Sequence, residues 1–190
     1  MISSFTYDKL DNQNSYILGL ILLNIDNDIY KDDNIICNFN NNIKNDKIVK
    51  ILEYMGKITY NINNIQFILN DINIINNIKS LILSNDLRYP SYSNIINNND
   101  NILGLIKALF EYYGNISYNN YESCAFISHK NENLINDIKH KLNIPSSIIK
   151  GTNMTTLKYD NVNCIDFLGL LYHNNELKDD LYDKFFYKKF

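Results

Sequence analysis

The sequence lacks long apolar runs and paired cysteines. Its apolar segments are short and are interrupted by Asn and Asp, so none approaches the ~20 residues that a helix needs to cross a bilayer. No basic segment followed by an apolar leader opens the chain. Cys37, Cys124 and Cys164 lie far apart and form no CxxC pair, which is typical of buried thiols in a reducing compartment. We therefore expect an intracellular protein without a membrane segment.

Arginine and net positive charge are also scarce. Arg88 is the only arginine, whereas Asn, Ile, Lys and Tyr are abundant, a bias expected of an A/T-rich genome such as that of a large DNA virus or a mobile element. The net charge of the 190 residues is -3, whereas proteins that hold a long stretch of phosphate backbone usually carry a large basic excess. Charge therefore argues against tight DNA binding.

Common catalytic and metal-binding patterns are missing as well. His129, His140 and His173 lie on different predicted elements with no i, i+4 pairing, which argues against a histidine-based metal site. The chain has no Gly-rich phosphate loop and no GxSxG motif. The composition does provide a core, because 45% of the residues are hydrophobic and 13% are aromatic, enough for one or two compact domains.

Apolar periodicity predicts the same order of elements twice: helix, hairpin, helix, hairpin, helix. In the first copy "NSYILGLILL" is the leading helix, and Ile29 and Tyr30 lie in the first arm of the following hairpin. The second copy opens with "ILGLIKALFEYY", which ends at Gly114. The boundaries we assign are 1–84 for the first repeat, 85–100 for a polar linker, 101–173 for the second repeat and 174–190 for a C-terminal helix or tail.

A constant offset between the two copies tests the duplication. A shift of 89 places "IQFILND" (65–71) on "MTTLKYD" (154–160), and it also places Asn24 on Tyr113. The pentapeptide "ILGLI" instead repeats after 85 residues, which is one helical turn less. We prefer the shift of 89 because it fits the distant strands as well as the leading helices.

The repeated pattern, with Gly19 in "YILGLILLNI" and Ala108 in "LIKALFEYYG", resembles the single-chain LAGLIDADG homing endonucleases over residues 14–173. The resemblance implies an α+β fold of two tandem αββαββα repeats related by a pseudo-twofold axis. It also implies that Gly19 and Ala108 lie at the interface of the two leading helices, where small residues allow close approach. Two four-stranded sheets would form a saddle over DNA. An unrelated duplicated α+β domain is the alternative.

In this family one carboxylate at the foot of each leading helix holds divalent metal for DNA cleavage. The matching positions here are Asn24 and Tyr113, or Leu109 if the shift is 85, and none of them is a carboxylate. Asp26 and Glu111 are nearby acids, each two residues from a matching position. We therefore expect no convincing catalytic residue and no bound metal, and Mg²⁺ would be needed only if catalysis survives.

Strand alternation predicts which residues line the saddle. In the first copy these are Asn38, Asn40, Lys57, Thr59, Asn61 and Gln66. Weaker equivalents in the second copy are Ser117, Asn119, Ala125, His129, Thr155 and Tyr159, with Lys130, Lys150 and Lys158 at the rim. Asn and Gln can recognise adenine edges and Lys can contact phosphate. A polar strand face that reflects only the abundance of Asn is the alternative.

The leading hypothesis is a degenerate LAGLIDADG-like monomer that binds double-stranded DNA weakly and does not cleave it. An active endonuclease is one alternative. A structural or interaction protein without nucleic acid is another, in which the aromatic tail around Leu177, Leu181 and Phe185 contacts a protein partner instead of covering the domain.

Overall fold

The structure is a computed structural model. It describes residues 12–26, 32–40, 46–60, 64–81, 95–96, 102–118 and 122–172. The first copy contains α1 (Asn12–Leu23), β1 (Ile35–Asn40), α2 (Asp46–Met55), β2 (Lys57–Tyr60), β3 (Asn64–Leu69) and α3 (Ile72–Leu81). The second copy contains α4 (Leu103–Tyr113), β4 (Gly114–Tyr118), β5 (Ser123–His129), α5 (Glu132–Leu142), β6 (Ser147–Lys150), β7 (Thr155–Asp160) and α6 (Val162–Tyr172). The predicted order of elements is confirmed, and the protein is an α+β fold.

Each copy contributes one antiparallel sheet. The first has the strand order β1-β3-β2 and the second has the order β4-β5-β7-β6. The segment after α1 lies along β1 as β4 lies along β5, because Ile25 forms an antiparallel bridge with Cys37. In the described part of the first copy this contact is a single bridge rather than a fourth strand. The predicted arm at Ile29 and Tyr30 lies outside the described residues.

The two leading helices, α1 and α4, pack closely through small residues. A Cβ atom added to Gly19 would lie 2.7 Å from the Cβ of Ala108, and one added to Gly104 would overlap the carbonyl oxygen of Asn12. The same added atom at Gly104 would lie 2.6 Å from Ser15 Oγ. Positions 19 and 108, and positions 15 and 104, each differ by 89. Residues that meet their own counterparts mark a pseudo-twofold axis between the helices, so 89 is the offset of the helices.

The strands follow an offset of 90, which corrects the predicted 89. Cys37 pairs with Phe67 in the first sheet, and Ile127 pairs with Leu157 in the equivalent place of the second. Positions 37 and 67 of the first copy therefore correspond to positions 127 and 157 of the second, an offset of 90. Side chains on a strand alternate between faces, so an error of one residue turns every side chain to the opposite face. The second copy has one extra residue between its leading helix and its central strands.

The core lies between the inner faces of the sheets and the helices. Phe167 of α6 illustrates it: its ring stacks on Tyr159 at 4.2 Å between centroids and meets Phe110 edge to face at 5.1 Å. Ile95 and Ile96, within the predicted linker, are helical and fully buried, and the rest of that linker lies outside the described residues. None of the helices in the described part of the chain has the length and apolar character that a membrane span requires.

Candidate nucleic-acid interface

The feet of the two leading helices carry neutral side chains. Asn24 follows α1, and its Nδ2 donates a hydrogen bond of 2.7 Å to the carbonyl oxygen of Leu20, so the amide closes the helix end. Tyr113 is the last residue of α4, and burial raises the pKa of its hydroxyl, which keeps the phenol neutral. Mg²⁺ prefers anionic oxygen ligands. The residues at these two positions therefore do not fit the metal that the fold implies.

His129 lies beside Tyr113, with the two rings edge to face at 4.9 Å between centroids. Its Nδ1 accepts a hydrogen bond of 3.0 Å from the backbone N–H of Asn131, so the neutral ring carries its proton on Nε2. Burial lowers the pKa of His129. In the described part of the chain no cluster of three or more His, Cys, Asp or Glu side chains could hold a metal.

Glu111 does not lie at the helix foot but between three helices. Its Oε2 accepts a hydrogen bond of 2.6 Å from the Tyr16 hydroxyl of α1, and its Oε1 accepts one of 3.3 Å from the Tyr172 hydroxyl of α6. Lys107 Nζ lies 3.8 Å from Glu111 Oε1 and is completely buried, 4.8 Å from the centroid of the Tyr172 ring. We call Tyr16, Lys107, Glu111 and Tyr172 the Glu111 network. Their contacts hold the Glu111 carboxylate where the three helices pack together.

Asp26 faces the sheet rather than the helix pair. Its Oδ2 accepts a hydrogen bond of 2.7 Å from Asn38 Nδ2, and Asn38 Oδ1 accepts one of 3.3 Å from Gln66 Nε2. Asp26 is exposed. The three side chains form a continuous hydrogen-bonded series across neighbouring segments of the first sheet.

The first sheet presents its predicted polar face outward. Asn38 pairs with Gln66, and Gln66 pairs with Thr59, so these three positions form one row across the sheet on the side opposite to the buried residues. Lys57 is exposed on the same side, two positions before Thr59. We call this side of each sheet the outer face. Asn40 is the last residue of β1 and pairs with Asn64, and Asn61 lies outside the described residues.

For the second sheet the predicted face is wrong at four positions. His129 pairs with the buried Thr155, so it lies on the helix side of the sheet, where its ring meets Tyr113. Ala125, Thr155 and Tyr159 belong to the core, with exposed fractions of 0%, 6% and 0%. The shift of 89 caused this error, because in β7 it assigned core positions to the outer face. The outer face carries instead Ser117, Phe126, Ser128, Thr156 and Lys158. Ser117 was predicted there, and Asn119 lies outside the described residues.

Two of the predicted lysines are bound to carboxylates. Lys158 Nζ lies 2.6 Å from Asp160 Oδ1, and this hydrogen bond raises the pKa of Lys158 and lowers that of Asp160. Lys150 Nζ lies 2.7 Å from Glu132 Oε1. Because Lys150 pairs with the buried Thr155, it points to the helix side of the sheet and not to the outer face.

Lys130 and Lys57 differ from those two lysines in their surroundings. Lys130 is exposed in the turn between β5 and α5, and Lys57 is exposed on the outer face of the first sheet. The outer faces thus combine polar side chains with Phe126 and Ile149, and part of their positive charge is neutralised because Lys158 is paired with Asp160.

Sequence reasoning missed Gly104 and the Glu111 network. Gly104 belongs to the second "ILGLI", and under the preferred shift its counterpart is Ser15. The small pair of Ser15 and Gly104 was the available signal, and it was not used. Lys107 and Glu111 form an i, i+4 pair within an apolar helix, and that spacing was the available signal. Their tyrosine partner on α1, Tyr16, lies 95 residues from Glu111 along the chain, so no local pattern could have identified it.

Comparison with protein-family models and with curated proteins finds no match. The structure is similar to the homing endonuclease I-DmoI in complex with DNA and Mn, with a TM-score of 0.59 at 14% identity over 87% of this chain and 98% of that one. It is similar to the LAGLIDADG homing endonuclease I-GzeII in complex with its DNA target, with a TM-score of 0.54 at 10% identity over 93% and 88%. Full-length WhiA from Thermatoga maritima matches with a TM-score of 0.50 at 14% identity, and this chain spans 60% of its length. The chain has the fold of the LAGLIDADG homing endonucleases.

Proposed function

We propose that this chain is a monomeric nucleic-acid-binding protein that holds double-stranded DNA against the outer faces of its two sheets and does not cleave it. The repeats of 1–84 and 101–173 would each supply one half of the surface. Two structures of similar fold, I-DmoI and I-GzeII, are complexes with DNA. The polar row of Asn38, Gln66 and Thr59 supports the same use of the surface here.

One observation carries the non-cleaving part of the proposal: the feet of the leading helices hold an amide and a phenol. Asn24 uses its amide N–H to cap α1, and Tyr113 packs against His129. Without an anionic oxygen at either position, the two helix feet do not supply ligands that would concentrate a divalent metal between two DNA strands.

Binding is expected to be weak and sensitive to salt. The net charge is -3, and Lys158 is neutralised locally by Asp160, so few phosphates can release counterions. Affinity should fall near the ~10⁻⁴ to 10⁻⁶ M of non-specific complexes. Lys57 and Lys130 are the lysines we expect to contact phosphate.

Fluorescence anisotropy with a labelled 24-bp duplex, recorded from low to physiological salt, tests the binding. Lys57→Ala should weaken binding and reduce the salt slope by about one contact. Lys150→Ala is the matched control, since Lys150 is ion-paired to Glu132 on the other side of the sheet. Absence of binding at low salt, or equal effects of both variants, would contradict the proposal.

Incubation of supercoiled plasmid with the protein and Mg²⁺ or Mn²⁺ tests the absence of cleavage. Intact plasmid is expected at protein concentrations that saturate binding. Metal-dependent nicking that disappears in Asp26→Ala, while duplex binding is retained, would show that an acid outside the helix feet supports catalysis.

A further inference from the structure

The hydrogen-bonded series on the first sheet has a fixed polarity. Gln66 Nε2 donates to Asn38 Oδ1, and Asn38 Nδ2 donates to Asp26 Oδ2. An ionised carboxylate only accepts hydrogen bonds, so Asp26 forces Asn38 to turn its NH₂ group toward it. The carbonyl of Asn38 must then face Gln66. We call Asp26, Asn38 and Gln66 the amide ladder.

A fixed polarity matters for recognition because a lone surface amide can exchange its C=O and N–H groups by rotation. In the ladder each bond uses one N–H, and each amide has a second N–H and a second carbonyl lone pair. One amide can therefore still accept from the N6 amino group of adenine and donate to its N7. The carboxylate of Asp26 can accept from the N4 amino group of cytosine. Both bases present an exocyclic amino group in the major groove.

The second sheet has no such ladder. With the offset of 90, Asn38 and Gln66 correspond to Ser128 and Thr156, whose hydroxyl groups are hydrogen-bonded to each other at 2.8 Å. Thr59 corresponds to Ile149, which is 50% exposed. Hydroxyl groups rotate and can donate or accept, so they contact any base with little discrimination. The two halves of the surface are chemically unequal at matched positions.

We infer that the amide ladder recognises adenine and cytosine by their exocyclic amino groups, in one half of a bound duplex only, and that the second sheet contributes binding without base selection. This inference rests on the proposed DNA binding. It goes beyond it by assigning base selectivity to three residues and by confining that selectivity to the first sheet.

Selection from a library of duplexes with a randomised 16-bp centre tests the inference. The full chain is expected to enrich adenine or cytosine over guanine and thymine on one given strand, at two to three positions on one side of the centre, with a flat profile on the other side. Asn38→Ala and Gln66→Ala should each reduce the preference roughly tenfold at one position, in line with ~1–3 kcal/mol for a bidentate base contact. Ser128→Ala, the matched control at the equivalent place, should leave the profile unchanged.

Asp26→Asn provides a second and more specific variant. It conserves shape but removes the obligatory acceptor, so the amides lose their fixed orientation. The selected profile should flatten while affinity for an unrelated duplex rises, because a negative charge has been removed near phosphate. Purine lacks the N6 amino group of adenine. Replacing a selected adenine with purine should weaken binding of the wild-type protein as much as Asn38→Ala does. The same replacement should not weaken binding of the Asn38→Ala variant any further.

The outcomes separate the two proposals. If the chain binds duplexes but selects no bases, or selects equally in both halves, the inference is overturned and the proposed DNA binding stands. If it binds no duplex at low salt, both are overturned. Thermal denaturation of each variant, together with retained affinity for an unrelated duplex, excludes unfolding as the cause of a flattened profile.

Discussion

Exchanging one methyl group between the leading helices tests how closely they pack. The variants are Gly19→Ala, Ala108→Gly and the double variant. In the first, two methyl carbons would lie 2.7 Å apart, whereas non-bonded carbons prefer ~3.5–4.0 Å. Both methyl groups are fixed to helix backbones and cannot rotate away, so α1 and α4 must separate by roughly 1 Å.

The magnitudes follow from opposing terms. Overpacking costs roughly 1–3 kcal/mol, and alanine in place of glycine within a helix returns ~1 kcal/mol, so Gly19→Ala should destabilise by about 0–2 kcal/mol. Ala108→Gly loses ~1 kcal/mol of helix propensity and ~0.8 kcal/mol of methyl burial. In the double variant the helix propensity gained in α1 offsets that lost in α4, and the methyl group moves from α4 to α1. Its stability should therefore be close to that of the wild type.

Urea denaturation of the four proteins measures the coupling in a double-mutant cycle. A coupling of roughly 2–4 kcal/mol in favour of the double variant is expected, the sum of the two single effects. The single variants should also lower the melting temperature by up to about 8 °C, at about 2–4 °C per kcal/mol for a chain of this size. Effects that add within ~0.5 kcal/mol would mean that Gly19 and Ala108 are not in contact, and the helix-pair geometry would be refuted.

Three further predictions concern side chains near the site. Glu111→Ala should destabilise by about 3–5 kcal/mol, measured by urea denaturation, because it leaves the buried Lys107 without its carboxylate. Burial lowers the pKa of His129, so below the unfolded value of ~6.5 the unfolded chain binds the proton more readily and stability falls with decreasing pH. An NMR titration should show His129 titrating below that value, and a normal pKa would contradict the prediction. Lys150→Ala should change the free energy of unfolding by no more than ~1 kcal/mol, since its ion pair with Glu132 is exposed, and a larger loss in urea denaturation would argue against that placement.

The sequence was sufficient for the order of elements but not for the faces of the second sheet. Helix and strand periods are local, and in β1 and β3 of the first sheet they located the buried residues correctly. The offset between copies is a single number only if no residue has been inserted, and here it changes from 89 in the helices to 90 in the strands. Thr155 and Tyr159 were consequently assigned to the wrong face, because strand positions alternate with a period of two.

The candidate site was predictable where one residue type decided the chemistry. Asn24 and Tyr113 are not carboxylates in any fold, so their identity alone favoured a silent site. The position of Asp26 depended on the bridge between Ile25 and Cys37, and the role of Glu111 depended on a hydroxyl group from the other copy. Both are long-range contacts, which a local pattern does not encode.

The Glu111 network makes the two halves of the molecule non-interchangeable. With the helix offset of 89, the counterpart of Tyr16 is Leu105, and the counterpart of Glu111 is Leu22. A molecule assembled from two first halves would have no carboxylate at this place, and one assembled from two second halves would bury two Lys–Glu pairs without the Tyr16 hydroxyl. Each half therefore supplies one partner of the hydrogen bond between Tyr16 and Glu111. A copy of either half in place of the other would lose this bond, so the two halves are not interchangeable at this place.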